Sequence, residues 1–315
     1  MLKSLQSVRK MLAPGRKRFD FKDKVALITG AADGIGFQVA TQLHRQGAKV
    51  VVVDRDEQAA RRAAARLGAQ SLVICADVTN RAAMREAVEH ARGHFGRLDI
   101  VVANAGITPP PATLRTGNPD DFDRVIAVNV TGVLNTVQPA IEPLIKHRGH
   151  VVVVASAAAF FPPVGAVAYM VSKAAVEQLG RGLKLELAPH GVSVTVSYFG
   201  VVDTRMTRSA LDEDPLGGTM EEQLPAPFRR RISAEQAGES IVSAIRARAE
   251  TSMAPAIWNS YSRFRGIVNP LLDHYLMADA EVADMVRKLD SRGVEAAETA
   301  VAASPVANQH VRSSQ

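Results

Sequence analysis

The sequence predicts an α/β fold with a doubly wound parallel sheet, and three observations support this. Short runs rich in Val and Ile recur along the chain, and their lack of alternation is typical of strands buried on both faces. Longer stretches with helical spacing of apolar residues separate these runs. The strict strand–helix alternation over residues 20–255 favours one sheet with right-handed crossovers and helices on both faces.

Each element can be placed in chain order from this pattern. Strands are predicted at residues 24–30, 48–54, 71–78, 98–106, 150–156 and 192–200. Helices are predicted at residues 34–47, 56–68, 81–96, within 119–147, through Tyr169 to about Leu187, and at 233–249. Cys75, the single cysteine of the chain, falls in the third run. We interpret it as a buried packing residue in a protein without internal disulfides, which fits a reducing compartment.

Two extensions flank this single predicted domain. Residues 1–19 form a basic arm, in which residues 1–18 hold six Lys and Arg side chains and no acid. Residues 256–290 place apolar side chains at helical spacing from Trp258 to Tyr275 and predict an amphipathic helical extension. This helix packs on its own domain or a partner subunit, caps the substrate pocket, or lies on a membrane surface. Residues 291–315 lack periodicity, and we expect disorder there.

Composition excludes several functional classes. Outside the arm the basic and acidic residues are equal in number, so we expect no nucleic-acid partner. No apolar run reaches the length of about 18 residues that a membrane span needs. The arm also lacks a signal-peptide core, so we expect a cytoplasmic protein, with peripheral membrane contact as a further role of the arm. The histidines are scattered without ligand spacing, so no metal site is predicted.

A glycine-rich stretch, TGAADGIG at residues 29–36, lies where the first strand turns into the first helix. Gly30, Gly34 and Gly36 leave room for a pyrophosphate to approach the backbone. The helix N-terminus supplies unpaired N–H groups and the positive end of the helix dipole. This position in the chain therefore predicts a dinucleotide site.

Charged residues after the strands indicate which dinucleotide binds. Asp54 ends the second strand at the distance from the glycine turn expected of an acid that accepts from both ribose hydroxyls. Asp33 adds a second negative charge, whereas Arg55 can pair with a phosphate. This balance favours NAD, with NADP as the alternative. Asp77 follows the third strand, where its carboxylate accepts from an adenine amino group or caps its own loop.

Tyr169 and Lys173 lie one helical turn apart, so their side chains share a face of a largely apolar helix. An ammonium close to a phenol costs desolvation free energy there, so the pair either lies on the surface or has a chemical role. Ser156 ends the fifth strand, at the sheet edge where ligands bind in open α/β folds.

These residues resemble the short-chain dehydrogenase/reductase family over about residues 22–255. The matching motifs, in chain order, are TGAADGIG (29–36), ADV (76–78), ANAG (103–106), VNVTG (128–132), Ser156, YMVSK (169–173) and FGVVDT (199–204). Ser156 precedes Tyr169 by 13 residues, the separation that this family uses. The resemblance implies a Rossmann-like fold, a homodimer or homotetramer, and an oxidoreductase with a nicotinamide cofactor.

The resemblance also assigns roles to individual residues. Tyr169 would be the general acid/base, and Lys173 its activator and ribose anchor. Ser156 would hold the substrate oxygen, and Asn129 would fix a water in the proton path. The implied cofactor set is Gly30, Asp33, Gly34, Ile35, Gly36, Asp54, Arg55, Asp77, Val78, Asn104, Ala105, Gly106, Tyr169, Lys173, Val202 and Thr204. Phe199 departs from the proline that the family usually has before Gly200.

The role of Tyr169 as a general acid/base requires that its pKa be lowered. A free phenol has a pKa near ~10, and a base that works at neutral pH needs a pKa near ~7. We expect the Lys173 ammonium, together with the positive nicotinamide ring, to lower the pKa of Tyr169 in a water-poor site.

Apolar residues near the predicted site indicate the substrate: Phe160, Phe161, Pro162, Pro163, Val164 and Met206. They predict a hydrophobic secondary alcohol or ketone of steroid, terpenoid or lipid type. The segment 207–231 is expected to close over it. Two alternatives stay open, namely an NADP-dependent ketoreductase and a catalytically idle cofactor-binding scaffold at a membrane surface.

Overall fold

The computed structural model describes residues 18–222 and 224–303 of the chain. The strands of this part are β1 (Val25–Thr29), β2 (Lys49–Asp54), β3 (Ser71–Cys75), β4 (Ile100–Ala103), β5 (His150–Val154), β6 (Ser193–Phe199), β7 (Val202–Asp203), β8 (Ile232–Ser233) and β9 (Thr251–Ala254). A seven-stranded sheet has the order β3-β2-β1-β4-β5-β6-β9, and β7 pairs with β8. All strand pairs of the large sheet are parallel, which confirms the predicted doubly wound fold.

Helices connect these strands. They are α1 (Gly34–Arg45), α2 (Glu57–Leu67), α3 (Arg81–Phe95), α4 (Pro119–Ile126), α5 (Gly132–Val137), α6 (Ile141–His147), α7 (Val167–Leu187), α8 (Arg205–Thr207), α9 (Gly217–Glu222), α10 (Ala234–Ala247), α11 (Ile257–Ala278) and α12 (Ala280–Ala303). None of the helices in the described ranges has both the length and the apolar character that crossing a bilayer requires.

Two hydrophobic layers cover the faces of the large sheet. On one face, apolar side chains of α3, α5, α6 and α7 pack against the strands, with Met84, Leu144 and Val176 fully buried. On the other face α1, α2 and α10 do so, with Leu43 and Ile241 fully buried. Burial on both faces explains why the strand sequences are runs of Val and Ile rather than alternating patterns.

The strand order sets where a ligand can bind. The chain runs outward from β1 through β2 to β3 and then returns to the other side of β1 for β4. The connections after β1 and β4 therefore leave the sheet in opposite directions. In open α/β sheets this reversal creates a crevice at the carboxyl ends of the strands.

Side-chain caps explain where the helices of this crevice begin. Asp33 accepts from the backbone N of Gly34 at the start of α1, and Asp56 accepts from the backbone N of Ala59 at the start of α2. Such caps satisfy N–H groups that have no partner within the helix. A short polar residue after each of these two strands thus caps the helix that follows.

The helix predicted within 119–147 is interrupted. A π-helical turn at Ala127–Thr131 separates α4 from α5, and a 3₁₀ turn at Gln138–Ala140, which contains Pro139, separates α5 from α6. Proline lacks the N–H that a continuous helix needs, and a π turn widens the helix locally. The π turn carries Asn129, which is completely buried.

Other expectations were wrong in particular places. Cys75 is exposed, because β3 is an edge strand of the sheet. The sequence prediction also missed β9, a strand of four residues that begins shortly after α10 ends.

At the C-terminus, residues 291–303 are helical, whereas we expected disorder there. The physical reason is that α12 packs on the domain, with Met285 and Leu289 buried. The remaining residues, 304–315, lie outside the described ranges.

The two extensions meet the domain at defined points. Residues 1–17 of the basic arm lie outside the described residues, and the arm ends at Phe19, which is buried and donates its backbone N–H to Arg246 O at 2.8 Å. The extension that begins at residue 256 packs Trp258 and Tyr261 of α11 into the domain. The same helix leaves Phe264, Ile267, Leu271 and Tyr275 exposed.

Candidate active site

A cleft of about 730 Å³ lies at the carboxyl ends of β1, β2, β4, β5 and β6. It brings together most residues that the sequence analysis selected: Gly30, Asp33, Gly34, Ile35, Asp54, Arg55, Asp77, Val78, Asn104, Ala105, Gly106, Ser156, Tyr169, Lys173, Val202 and Thr204. Two selected residues, Gly36 and Asn129, lie behind the lining rather than in it.

The glycine turn after β1 has the backbone shape that only glycine adopts easily. Gly30 and Gly34 have φ angles of +62° and +56°, in the left-handed region. Gly36 has a different reason, because a Cβ there would overlap the carbonyl oxygen of Gly30 and lie 2.6 Å from Asn104 Nδ2. Gly36 therefore permits close packing of α1 beneath the turn.

Asn104 and Thr29 hold this turn against the start of the next loop. Asn104 Nδ2 donates to Thr29 O at 3.0 Å and to Gly30 O at 3.2 Å. The Thr29 hydroxyl accepts from the backbone N atoms of Asn104 and Ala105. Sequence reasoning missed Thr29, although a polar residue at the end of a buried strand was a signal.

Asp33 serves mainly as a helix cap. Its Oδ1 accepts from Gly34 N at 2.7 Å, and its Oδ2 lies 3.8 Å from Arg205 Nε. Arg205 also lines the cleft and was not selected from the sequence. The charge of Asp33 is therefore offset, and the argument for NAD depends on Asp54 rather than on two acids.

Asp54 is oriented by two backbone N–H groups at the end of β2. Its carboxylate accepts from Ala32 N at 3.2 Å and from Asp56 N at 3.1 Å, one to each oxygen. This arrangement fixes the carboxylate beside the glycine turn. The remaining acceptor positions of its oxygens suit the hydroxyls of a ribose.

Hydrogen bonds between its own residues hold the loop after β3 in place. Asp77 Oδ1 accepts from the backbone N and the hydroxyl of Thr79, each at 2.8 Å, so Asp77 does cap its own loop. Asn135 Nδ2 donates to Val78 O at 2.9 Å. Asn135, which the sequence analysis missed, thus ties this part of the cleft to α5.

Ser156, Tyr169 and Lys173 meet at the inner wall of the cleft. The side chains of Tyr169 and Ser156 line the same part of the cleft, and Ser156 Oγ donates to Phe199 O at 3.4 Å and accepts from Ala158 N at 3.2 Å. Lys173 Nζ lies 5.5 Å from the centre of the Tyr169 ring and donates to Val154 O at 3.0 Å. The helix α7 and the segment after β5 therefore place three polar side chains together in an otherwise apolar region.

Burial governs the titration of this group. Desolvation raises the pKa of the Tyr169 phenol, and the neighbouring Ser156 side chain offsets part of this rise. Desolvation also lowers the pKa of Lys173 from 10.5 to about 8. The expected lowering of the Tyr169 pKa concerns Lys173 together with a positive nicotinamide ring, and it stays a prediction.

Asn129 bridges the π turn to two other parts of the site. Its Oδ1 accepts from Ile107 N at 2.8 Å, and its Nδ2 donates to Ile107 O at 2.9 Å and to Ser172 Oγ at 3.0 Å. Its amide is thus occupied by protein groups. Asn129 positions the loop after β4 against α7, the helix of Tyr169 and Lys173.

The substrate end of the cleft differs from the expectation. Phe160 and Phe161 are buried in an aromatic cluster with Tyr198, Phe228, Trp258 and Tyr261 and do not line the cleft. The walls come instead from Ile107–Pro111, Val128, Met206, Ala210 and Pro215. Phe160 and Phe161 were misplaced because periodicity does not show which layer an apolar residue after a strand joins.

The cleft fits a nicotinamide dinucleotide on its own geometry. It is long enough to run from Asp54 to Tyr169, and left-handed glycines open its floor at the start of α1. Its two ends also differ chemically, with a ribose-type carboxylate at one end and the Ser156–Tyr169 pair at the other. Within the described residues, no cluster of three or more His, Cys, Asp or Glu side chains has the arrangement of a metal site.

Comparisons with known proteins agree with this geometry. The family model for short chain dehydrogenase matches residues 24–215. An uncharacterized oxidoreductase of Staphylococcus aureus (strain MW2) is 38% identical over 187 residues, which cover 59% of this chain and 80% of that protein. One from Staphylococcus epidermidis (strain ATCC 12228) is 37% identical over the same length and 81% covered.

Two solved structures have the same fold. The 3-ketoacyl-(acyl-carrier-protein) reductase from Brucella melitensis, complexed with NADH, has a TM-score of 0.67 and 29% identity, with 75% of this chain and 98% of that chain covered. A short-chain type dehydrogenase/reductase from Mycobacterium marinum has a TM-score of 0.68 and 29% identity, with 75% and 96% covered. With the Ser156–Tyr169–Lys173 group in the cleft, these matches show that the chain belongs to the short-chain dehydrogenase/reductase family, oxidoreductases that act on CH–OH groups with a nicotinamide cofactor.

Proposed function

We propose that the protein transfers hydride between NAD and a hydrophobic secondary alcohol or ketone, with Tyr169 as general acid/base. The observation that carries this proposal is that Ser156, Tyr169 and Lys173 line one cleft, with the Lys173 ammonium buried and 5.5 Å from the centre of the Tyr169 ring. The glycine turn, Asp54, Asn104 and the segment of Val202 and Thr204 would hold the cofactor. When bound, its nicotinamide accepts the hydride from an alcohol or donates it to a ketone.

The chain's own residues handle the proton. Ser156 donates a hydrogen bond to the substrate oxygen, and Tyr169 takes the hydroxyl proton as the alcohol is oxidised or returns it as a ketone is reduced. Lys173 places a positive charge near the phenol in a site from which water is excluded, where electrostatic interactions are strong. Asn129 fixes Ile107 and Ser172, so the site is organised before the substrate arrives.

The preference for NAD depends on Asp54. A 2′-phosphate beside a fixed carboxylate costs like-charge repulsion, whereas a ribose hydroxyl donates to it. The structure from Brucella melitensis holds NADH, which supports a nicotinamide cofactor for the related fold, and the choice between NAD and NADP rests on Asp54. Arg55 and Arg205 are the residues that would favour NADP, since both line the same cleft.

Cofactor preference is tested with purified protein and both dinucleotides. We expect the unaltered chain to bind NADH more tightly than NADPH and the variant Asp54→Ala to lose that difference. Glu57→Ala is a suitable control, because Glu57 begins α2 nearby and pairs with Arg61 on the surface. Tighter binding of NADPH by the unaltered chain would refute the role of Asp54.

The reaction is tested by following NADH formation with a panel of steroid, terpenoid and fatty secondary alcohols. General acid–base catalysis contributes about 10²–10⁴-fold to rates, so Tyr169→Phe is expected to lose activity by about that factor. Tyr275→Phe is the matched control, since Tyr275 is exposed on α11. Unchanged activity in Tyr169→Phe would count against the proposed chemistry, whereas no turnover of any panel alcohol by the unaltered chain would support an idle scaffold.

Assembly and membrane contact are further parts of the proposal. Exposed apolar side chains on α5 and α7, namely Leu134, Val167 and Val171, support a homo-oligomer built through these helices. Light scattering of the purified chain gives the number of subunits directly. Flotation with liposomes, compared between the whole chain and a chain without residues 1–17, tests peripheral membrane contact and keeps the buried Phe19 in place.

A further inference from the structure

The C-terminal helix α12 packs across the substrate end of the cleft, beyond the residues that the family model matches. Met285 and Leu289 are 0% and 1% exposed, so this helix has a firm apolar contact with the domain. Leu289 Cδ1 lies only 2.8 Å from where a Cβ of Gly165 would be, and Gly165 has a φ of +74°. Gly165 precedes α7, the helix that carries Tyr169, so α12 packs against the segment that leads into this helix.

Arg292 of α12 contacts both walls of the cleft. Its Nη1 donates to both carboxylate oxygens of Asp214 at 2.9 Å, and its Nη2 donates to the carbonyl oxygen of Pro111. Pro111 and Asp214 line the cleft from different segments, one after β4 and the other after β7. The guanidinium therefore joins two segments that are about 100 residues apart in sequence.

A neighbouring residue of the same helix strengthens one of these walls. Asp290 accepts hydrogen bonds from the Thr113 hydroxyl and from Arg115 Nη1, the latter at 2.9 Å. Gly293 lies against Thr116 so closely that a Cβ would overlap the threonine side chain. The segment after β4 is thus held along α12 by successive contacts, whereas Arg292 alone among these residues also reaches Asp214.

We propose that Arg292 is a positioning residue that fixes the distance between the two walls of the substrate end and so limits the size of the substrate group admitted there. The inference rests on the proposed function, because it concerns the substrate of the same cleft. Only arginine suits this place, since a planar guanidinium can bind a carboxylate with one nitrogen and a carbonyl with another. Asp214 is largely buried, so its partner cannot readily be replaced by water.

Cutting this connection should separate the walls and leave the chemistry intact. Ser156 follows β5, Tyr169 and Lys173 lie on α7, and the hydrogen bonds of Arg292 go to Asp214 and Pro111 instead. For a substrate that fits the unaltered cleft, we expect Arg292→Ala to raise KM by about fivefold to tenfold with little change in kcat. The ratio of kcat/KM between a bulky and a small alcohol should shift toward the bulky one.

The first test needs no substrate. Hydrogen–deuterium exchange is compared between the full-length unaltered chain, Arg292→Ala, Arg292→Lys and the control Arg287→Ala, whose side chain on the same helix is exposed and 3.8 Å from Asp284. We expect faster exchange at residues 109–116 and 205–222 in Arg292→Ala, a smaller increase in Arg292→Lys, and none in Arg287→Ala. Exchange in β1, β2 and β4 should stay the same in all four proteins.

Two results of the exchange experiment would overturn the proposal. One is exchange in Arg292→Ala equal to that of the unaltered chain, and the other is an increase spread evenly over the large sheet, which indicates general loss of stability. Because the exchange experiment involves no turnover, it stands even if the proposed substrate class is wrong. The kinetic arm then uses whichever alcohols of the panel are oxidised, and an unchanged size preference would also overturn the proposal.

Discussion

The substitution Lys173→Met removes a buried ammonium and keeps an unbranched side chain of similar length. Lys173 is 5% exposed, and burial lowers its pKa from 10.5 to about 8. At 1.36 kcal/mol for each pKa unit, the protonated side chain costs the folded state about 3 kcal/mol. The loss of its hydrogen bond to Val154 O offsets about 1 kcal/mol of this. We therefore expect the variant to be more stable at pH 7 by about 2 kcal/mol.

The sign of the pH dependence follows from the direction of the pKa shift. Below pH 8 the lysine is protonated in the folded and unfolded chains, so the whole cost is present. Between about pH 8 and 10.5 the unfolded chain binds more protons than the folded one, and the free energy of unfolding of the unaltered chain therefore rises with pH. The advantage of Lys173→Met should accordingly shrink across this range and reverse near its upper end.

Urea unfolding at pH 7, 8, 9 and 10 measures this difference, and turnover of an active alcohol shows that catalysis is lost. Lys184→Met is the control on the same helix, because Glu250 and Glu177 offset the lowering of the Lys184 pKa by burial. We expect a smaller pH dependence for that variant. A stability difference for Lys173→Met that is constant from pH 7 to pH 10, or a variant less stable at pH 7, would refute the reasoning.

Two further predictions concern glycines near the site. Gly36→Ala places a Cβ against the carbonyl oxygen of Gly30, so we expect the free energy of unfolding to fall by about 1–3 kcal/mol and calorimetry to show weaker NADH binding. Gly182→Ala is the control, because Gly182 has open space on α7, and this variant should be neutral or stabilising. The Cβ that Gly200→Ala adds would overlap the Trp258 indole Nε1, so urea unfolding should show a free energy of unfolding lower by about 1–3 kcal/mol. The same substitution should cost less in a chain that also carries Trp258→Phe. Equal losses with and without Trp258→Phe would contradict the steric explanation.

Local patterns predicted the central elements well. The runs of Val and Ile gave β1, β2 and β5 within a residue or two, because each of these strands is buried on both faces. The edge strand β3 is different: its apolar run predicted burial for Cys75, which is exposed because no strand covers that side of the sheet. Position within a sheet is a property of the whole chain, and a local pattern does not contain it.

In the candidate site, too, local spacing predicted some residues and missed those that depend on contacts between distant segments. The residues of the cofactor turn and the Tyr169–Lys173 pair were found from spacing, because a turn and a helix fix those distances locally. Arg205 was missed, since its pairing with Asp33 joins two segments far apart in sequence. The sequence analysis placed Phe160 and Phe161 in the cleft, whereas in the structure both pack in the core against aromatic side chains of α11.

The sequence by itself determined the parallel α/β fold, the glycine turn and the shared helix face of Tyr169 and Lys173, because hydrophobic period and short-range spacing depend on neighbouring residues alone. Only the tertiary structure decided that burial dominates the titration of Tyr169 and Lys173. It also decided that Arg292 of α12 joins Pro111 and Asp214, two residues that line the cleft. Desolvation and long-range ion pairs depend on which distant segments pack together, and that depends on the folded chain as a whole.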